Sequence, residues 1–223
     1  MQFVVKRDVL LKSLNFVQGV VEKKNTLPIL SNVLLELKDN KLSVVATDLD
    51  IIFYDEISDI KIINEGSTTT SAAILFDILR KIPSNSDLNF EMKTENKLSL
   101  KSENFDFNLL CLPIDNFPTF EDQFEGHEIT LESSKFLKLL NKTRISISND
   151  DTRHYLNGIF LHITEAHGRN FLTGVATDSH RLSSSSLEIN NSDKFESLIL
   201  PRKTVYQLCS LLSENPESLI MQT

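Results

Sequence analysis

The sequence repeats itself at a spacing of a whole domain. Lys12-Ser13-Leu14-Asn15 returns as Lys138-Leu139-Leu140-Asn141, and Leu30-Ser31-Asn32-Val33-Leu34-Leu35 returns as Leu156-Asn157-Gly158-Ile159-Phe160-Leu161, both 126 residues later. After a further slip of four residues, Ala46-Thr47-Asp48 returns as Ala176-Thr177-Asp178, and Ile74 to Leu79 is matched in kind by Thr204 to Cys209. This period is too long for a solenoid unit of 20 to 50 residues. It predicts two domains of ordinary size, residues 1–125 with a connector at 113–125, and residues 126–223. Copy one runs on through Leu88 to Met92, Lys97 to Lys101 and Phe105 to Leu110, whereas copy two stops near the first of these segments. Thr223 is therefore expected to fall inside a domain, in a fragment or truncated product.

Periodicity places a helix in each half-repeat. Val9, Leu10, Leu14, Val17, Val20 and Val21 recur at spacings of three and four, as on a helix with one buried face. Helices are read at residues 6–24, 71–82, 133–144 and 202–213, with Pro83 ending the second and Ser133 suited to cap the third. Between them lie short runs rich in Val, Ile and Leu, at Ser31 to Leu37, Lys41 to Ala46 and Ile51 to Ile57, separated by Asp39-Asn40 and Asp48-Leu49-Asp50. Such runs are strands joined by tight turns. A second cycle starts with Ser67 to Thr70, so each domain reads as two βαβββ units and the class as α+β. Phe117, Phe120 and Phe124 are expected to pin the connector to the surface.

The chain is acidic, with a formal net charge of −8, which at first argues against a nucleic-acid partner. The charge is not evenly spread. The four helical stretches hold 13 of the 23 Lys and Arg but only 3 of the 31 Asp and Glu. This segregation predicts one basic surface on an acidic body, although a solvated basic face on each helix would read the same way. No apolar run approaches the roughly 18 residues of a membrane span, and the first residues carry no secretory signal. Cys111 and Cys209, 98 residues apart, form no CxxC pair and suit a reducing compartment. A cytoplasmic protein with no cofactor is expected.

Catalytic motifs are scarce. The six glycines form neither GxxxxGK nor GxGxxG, and the five histidines show no zinc spacing. Asp178-Ser179-His180 has the residue types of a hydrolytic triad, but a triad is assembled from separated positions. Asp48 and Asp50 could hold Mg2+ for phosphoryl transfer, or could be the shoulders of a turn, and copy two replaces the second with His180. Asp178-Ser179-His180-Arg181-Leu182, with Arg153, Tyr155 and Leu156 upstream, combines an apolar floor with a cationic rim suited to a peptide. An ordinary hairpin with a salt-bridged arginine is the plainer reading.

At these residues the sequence resembles the bacterial sliding clamp family, the beta subunit of DNA polymerase III. The likeness is carried by Thr26-Leu27-Pro28-Ile29-Leu30, Ala46-Thr47-Asp48-Leu49, Arg153-His154-Tyr155-Leu156-Asn157-Gly158, Ala176-Thr177-Asp178-Ser179-His180-Arg181-Leu182 and Pro201-Arg202-Lys203. It implies a non-enzymatic processivity factor with the DNA clamp fold: a head-to-tail homodimer of three-domain chains, closed into a ring around double-stranded DNA. The implied partners are the polymerase III catalytic subunit, other clamp-motif proteins and the clamp loader. By this resemblance Lys24, Arg202 and Lys203 touch DNA. Arg153, Leu156, Thr177, Ser179, His180, Arg181 and Leu182 line the pocket for partner peptides, and Phe107 and Leu109 lie at the subunit interface. The family usually has glycine where Ser179 stands, and the third domain would lie beyond Thr223. A peptide-binding adaptor that does not encircle DNA, or a metal-dependent nucleic-acid enzyme using Asp48 and Asp50, are the competing readings.

Overall fold

The computed structural model describes residues 1–22, 27–118, 128–150, 152–189, 195–214 and 217–222. The chain forms two compact units, Met1–Phe120 and Glu121–Thr223.

Unit 1 runs β1 (Gln2–Lys6), α1 (Arg7–Val20), β2 (Asn32–Lys38), β3 (Lys41–Thr47), β4 (Ile52–Ile57), β5 (Ile60–Asn64), β6 (Gly66–Ser71), α2 (Ala72–Lys81), β7 (Asp87–Thr94), β8 (Lys97–Ser102) and β9 (Phe105–Leu112). The strands form one sheet in the order β4-β3-β2-β6-β9-β8-β7-β1-β5. β4 and β5 lie at opposite edges, yet only Ser58 and Asp59 separate them in the chain. Two residues span at most about 10 Å between strand ends, so the sheet must bend back on itself. β9 makes the other corner, pairing with β8 through Phe105–Leu110 and with β6 only at Cys111 and Leu112. β5 is a strand that sequence patterning did not single out.

Burial follows the periodicity. Leu10, Leu14, Val17 and Val20 of α1 and Leu75 and Leu79 of α2 are buried in one core with Phe3, whose ring stacks on Phe90 at 4.7 Å. Burying a leucine or valine of this kind contributes about 1.5–3 kcal/mol. Phe117 of the connector packs separately onto Ile29, Leu30 and Val45, as expected of a pinning aromatic. The other two connector aromatics, Phe120 and Phe124, lie outside the described residues.

Leu109 requires a correction. It is 3% exposed and part of the unit 1 core, and Phe107 is half-buried against that core and stacks with Phe105. Alternation along β9 turns Leu110, 83% exposed, outward instead. The Leu109 side chain is therefore not on offer to a second subunit. What β9 presents is its backbone edge, paired along Phe105–Leu110 with β8 alone among the described residues.

Unit 2 runs β10 (Glu128–Glu132), α3 (Ser133–Thr143), β11 (Gly158–Ala166), β12 (Arg169–Thr177), β13 (Leu182–Ile189), β14 (Leu198–Pro201), α4 (Arg202–Ser213) and β15 (Ser218–Gln222). β13-β12-β11-β14 form one sheet and β10-β15 another, and Phe136, Leu139, Leu140, Ile159, Leu161, Leu172, Val205 and Leu212 share their core. The four-residue slip in the repeat has a simple origin. The β2–β3 hairpin has seven-residue strands and β11–β12 has nine-residue strands, so four residues are added symmetrically. Both turn through two residues of positive φ, Asp39 and Asn40 in one and His167 and Gly168 in the other, the mirror-image turn that suits strand twist.

Helix ends depart from the sequence reading at two points. α1 closes at Val20, where the Val21 N–H bonds to the Val17 carbonyl, instead of reaching residue 24. Ser133 is the first helical residue and not the cap. Its buried Oγ has no hydrogen-bond partner among the described residues, because the helix starts directly after β10 and Glu132 takes the flanking position. In α2 the same strand-to-helix junction places Ser71 at the cap, and its Oγ accepts from the Ile74 N–H.

Candidate peptide groove and basic helix faces

The repeat builds the same turn twice. In unit 1 the Asp50 and Ile51 N–H groups donate to Asp48 Oδ1 at 3.0 and 2.7 Å, and the Leu49 N–H donates to Thr47 Oγ1 at 2.9 Å. In unit 2 the His180 and Arg181 N–H groups donate to Asp178 Oδ1, both at 3.0 Å, and the Ser179 N–H donates to Thr177 Oγ1 at 3.2 Å. An aspartate that accepts from the amides two and three residues on defines such a turn. The third residue has positive φ in both, 81° at Leu49 and 78° at Ser179. This backbone favours glycine, which accounts for the family's usual residue at the Ser179 position.

The turn in unit 1 does not present a metal site. The Asp48 carboxylate is spent on the turn, and the described residues contain no cluster of three or more His, Cys, Asp or Glu placed to hold a metal ion.

In unit 2 the turn stands beside the segment before β11. Arg153 reaches across to it, donating from Nη1 to Ser179 Oγ at 2.8 Å and from Nε to Asp150 Oδ2 at 2.9 Å. Arg181 donates from Nε to Asp178 Oδ2 at 2.9 Å, and Thr177 Oγ1 donates to the Arg181 carbonyl at 2.7 Å. Leu156 is half-buried, its carbonyl accepting from the Ser148 N–H at 3.0 Å, while Leu182 and Tyr155 are exposed. Arg153 and Ser179 are thus joined directly, with Thr177, His180, Arg181 and Leu182 carried on the same turn and strand start. The Arg181 amide, then that of His180, holds the Asp178 carboxyl below its ordinary pKa. The Thr152 hydroxyl and amide do the same for Asp150, with Arg153 adding to the effect.

Sequence reasoning does not single out Asp178 and Asp150 as site residues. The first is legible from the Thr-Asp pair at the same place in each copy. The second is legible only from an acid three residues before an arginine.

The predicted DNA-contacting residues fall on α4, save one. Arg202 and Lys203 open that helix, both half-buried. The Arg202 N–H donates to the Asn157 carbonyl at 2.8 Å, and its guanidinium donates to Asn149 Oδ1 at 2.6 Å. Lys24 lies outside the described residues. Within the helices the cations are Arg7, Lys12, Arg80, Lys81, Lys135, Lys138, Lys142, Arg202 and Lys203, against Asp8 and Asp77 as the acids. Lys12, Arg80, Lys81, Lys135, Lys138 and Lys142 are exposed. No helix of the described residues is long and apolar enough to cross a membrane.

A duplicated α+β unit with paired helices and antiparallel sheets defines the class: it is the fold of sliding clamps. A crystal structure of the Caulobacter crescentus beta sliding clamp with bound PEG superposes with a TM-score of 0.95 at 35% identity, covering all of this chain and 60% of that one. A DnaN sliding clamp from Bartonella birtlesii bound to griselimycin gives 0.93 at 37% identity, covering all of this chain and 59% of that one. Residues 1–121 match the family of the N-terminal domain of the DNA polymerase III beta subunit, and residues 130–223 that of its central domain. The chain belongs to the DNA polymerase III beta subunit family. The Beta sliding clamp of Caulobacter vibrioides is 35% identical over 225 residues, and that of Escherichia coli K12 is 36% identical over 218 residues. The chain spans about 60% of the length of these curated relatives.

Proposed function

We propose that the protein is a processivity factor of the replicative DNA polymerase, a sliding clamp that acts in the cytoplasm as a homodimeric ring. It encircles duplex DNA and tethers polymerase III and other clamp-binding proteins, after being placed on DNA by a clamp loader. It performs no chemistry itself. The observation that carries this reading is the charge of the four helices, basic in a chain that is otherwise acidic. Basic side chains attract phosphates without reading bases, so the duplex is held with no preferred register and the protein can slide. Arg202 and Lys203 open α4, where the helix dipole adds to the attraction for an anion. The groove around Arg153 and Ser179 takes the partner peptide, and the open backbone edge of β9 takes the second subunit.

Retention on nicked circular DNA in high salt, before and after a cut that linearises the circle, tests this reading. Salt screens phosphate contacts, so a closed ring should stay on circles and be lost from linear DNA. Equal retention on both forms would refute it. The groove favours a second reading, a peptide-binding adaptor that does not encircle DNA, because its geometry lies within unit 2. In that case Arg181→Glu abolishes partner binding, while the double variant Lys24→Glu and Lys203→Glu changes nothing. In a clamp the double variant also weakens loading or DNA contact.

A further inference from the structure

We infer that Ser179 and Asp150 are positioning residues that fix Arg153 across the groove, and that the groove selects an extended apolar peptide bearing a carboxylate. This inference rests on the peptide groove proposed above and adds its selectivity.

The two copies of the turn carry it. Leu49 and Ser179 have the same left-handed backbone, but no arginine reaches across to Leu49, because Leu27 stands in unit 1 where Arg153 stands in unit 2. Ser179 adopts a conformation that side chains avoid, and its Oγ accepts the Arg153 Nη1 proton at 2.8 Å across 26 residues of sequence. Asp150 Oδ2 holds Nε of the same guanidinium at 2.9 Å, while its other oxygen accepts from the Thr152 N–H at 3.0 Å and hydroxyl at 2.6 Å.

The guanidinium is thereby fixed at two of its five N–H groups, and the remaining three have no partner among the described residues. A planar fork held in this way suits a carboxylate, which can accept two parallel bonds. The neighbouring acids do not compete for that role, since Asp150 and Asp178 are both occupied by bonds within their own turns. Leu156 and Leu182 supply the apolar contacts on either side. An arginine ordered before binding loses little rotamer freedom when the ligand arrives, so Ser179 acts on affinity and selectivity through Arg153.

The test is fluorescence anisotropy with a labelled pentapeptide of four leucines around a central aspartate, against the same peptide with asparagine at its centre. The unmodified chain should prefer the aspartate peptide by roughly fivefold. Ser179→Ala and Ser179→Gly should each reduce that preference to less than about twofold. Ser179→Gly should at the same time raise the thermal midpoint of unit 2, because glycine relieves the left-handed backbone. A residue that only stabilised the turn would not give a gain in stability together with a loss of selectivity. An unchanged preference in both variants overturns the role of Ser179 and leaves the groove standing. Failure of the unmodified chain to bind either peptide overturns the groove, and this inference with it.

Discussion

Replacing Gly158 by alanine should dismantle the edge of the unit 2 sheet. A Cβ at this position would sit 2.2 Å from the Leu200 carbonyl oxygen, 2.7 Å from Ile199 Cγ2 and 2.9 Å from the Leu200 carbonyl carbon. Carbon and carbonyl oxygen approach to about 3.3 Å at closest, so β14 would have to retreat by about 1 Å. That movement stretches a hydrogen bond of about 2.9 Å beyond its useful range. β14 is only four residues long and is paired with β11 alone, through Gly158↔Pro201 to Leu161↔Leu198, so it cannot share the displacement. Two ladder bonds lost at about 1 kcal/mol each, with residual strain of similar size, come to about 3 kcal/mol. For a unit of this size that corresponds to a fall in melting temperature of roughly 10–20 °C. Gly168→Ala is the control. Gly168 has φ +71°, and an alanine methyl there would meet no atom within 4 Å, so only backbone strain of about 1 kcal/mol is expected. Thermal unfolding, with hydrogen exchange measured on β11 and β14 peptides, separates the two variants. Equal losses would refute the steric reasoning.

Leu109→Asp should unfold unit 1, because it places a charge in the core, whereas Leu110→Asp should stay within about 0.5 kcal/mol of the parent; circular dichroism melts distinguish them. Leu49→Gly should raise the unit 1 midpoint slightly, since about 1–2 kcal/mol of left-handed strain is relieved and about half of that is offset by the freedom of glycine in the unfolded chain. Asp178 has a folded pKa below its unfolded value, so its contribution is complete above about pH 4 and is lost as pH falls through the folded pKa. Amide shifts of His180 and Arg181 should report that loss, and Asp178→Asn should remove the pH dependence.

Much of this architecture was legible because duplication supplies an internal control. The helices, the hairpins and the Thr-Asp turn each appear twice, and the four-residue slip is the longer β11–β12 hairpin. What escaped depends on partners distant in sequence. β5 is a short edge strand whose pairing partner, β1, lies nearly sixty residues upstream, so local alternation did not distinguish it from a loop. The face of Leu109 depends on strand register, where a slip of one residue exchanges core for surface. The Arg153–Ser179 bond joins residues 26 apart, and sequence marked both as lining one pocket without showing that they touch. Ser133 has the side chain of a cap, but the strand-to-helix junction, set one residue earlier, took that role from it.

The corner between β4 and β5 bears on how unit 1 is made by the ribosome. β1 emerges first but pairs with β5 and with β7, whose residues 60–64 and 87–91 must be synthesised before either ladder can form. At roughly 5–20 residues per second the amino-terminal strand waits several seconds for its neighbours. β4 and β5 then close opposite edges of the sheet with only Ser58 and Asp59 between them, so one cannot dock for long without drawing in the other. Nascent chains halted before residue 87 should therefore remain accessible to proteases along their length, and protection should arrive in one step once β9 has left the exit tunnel.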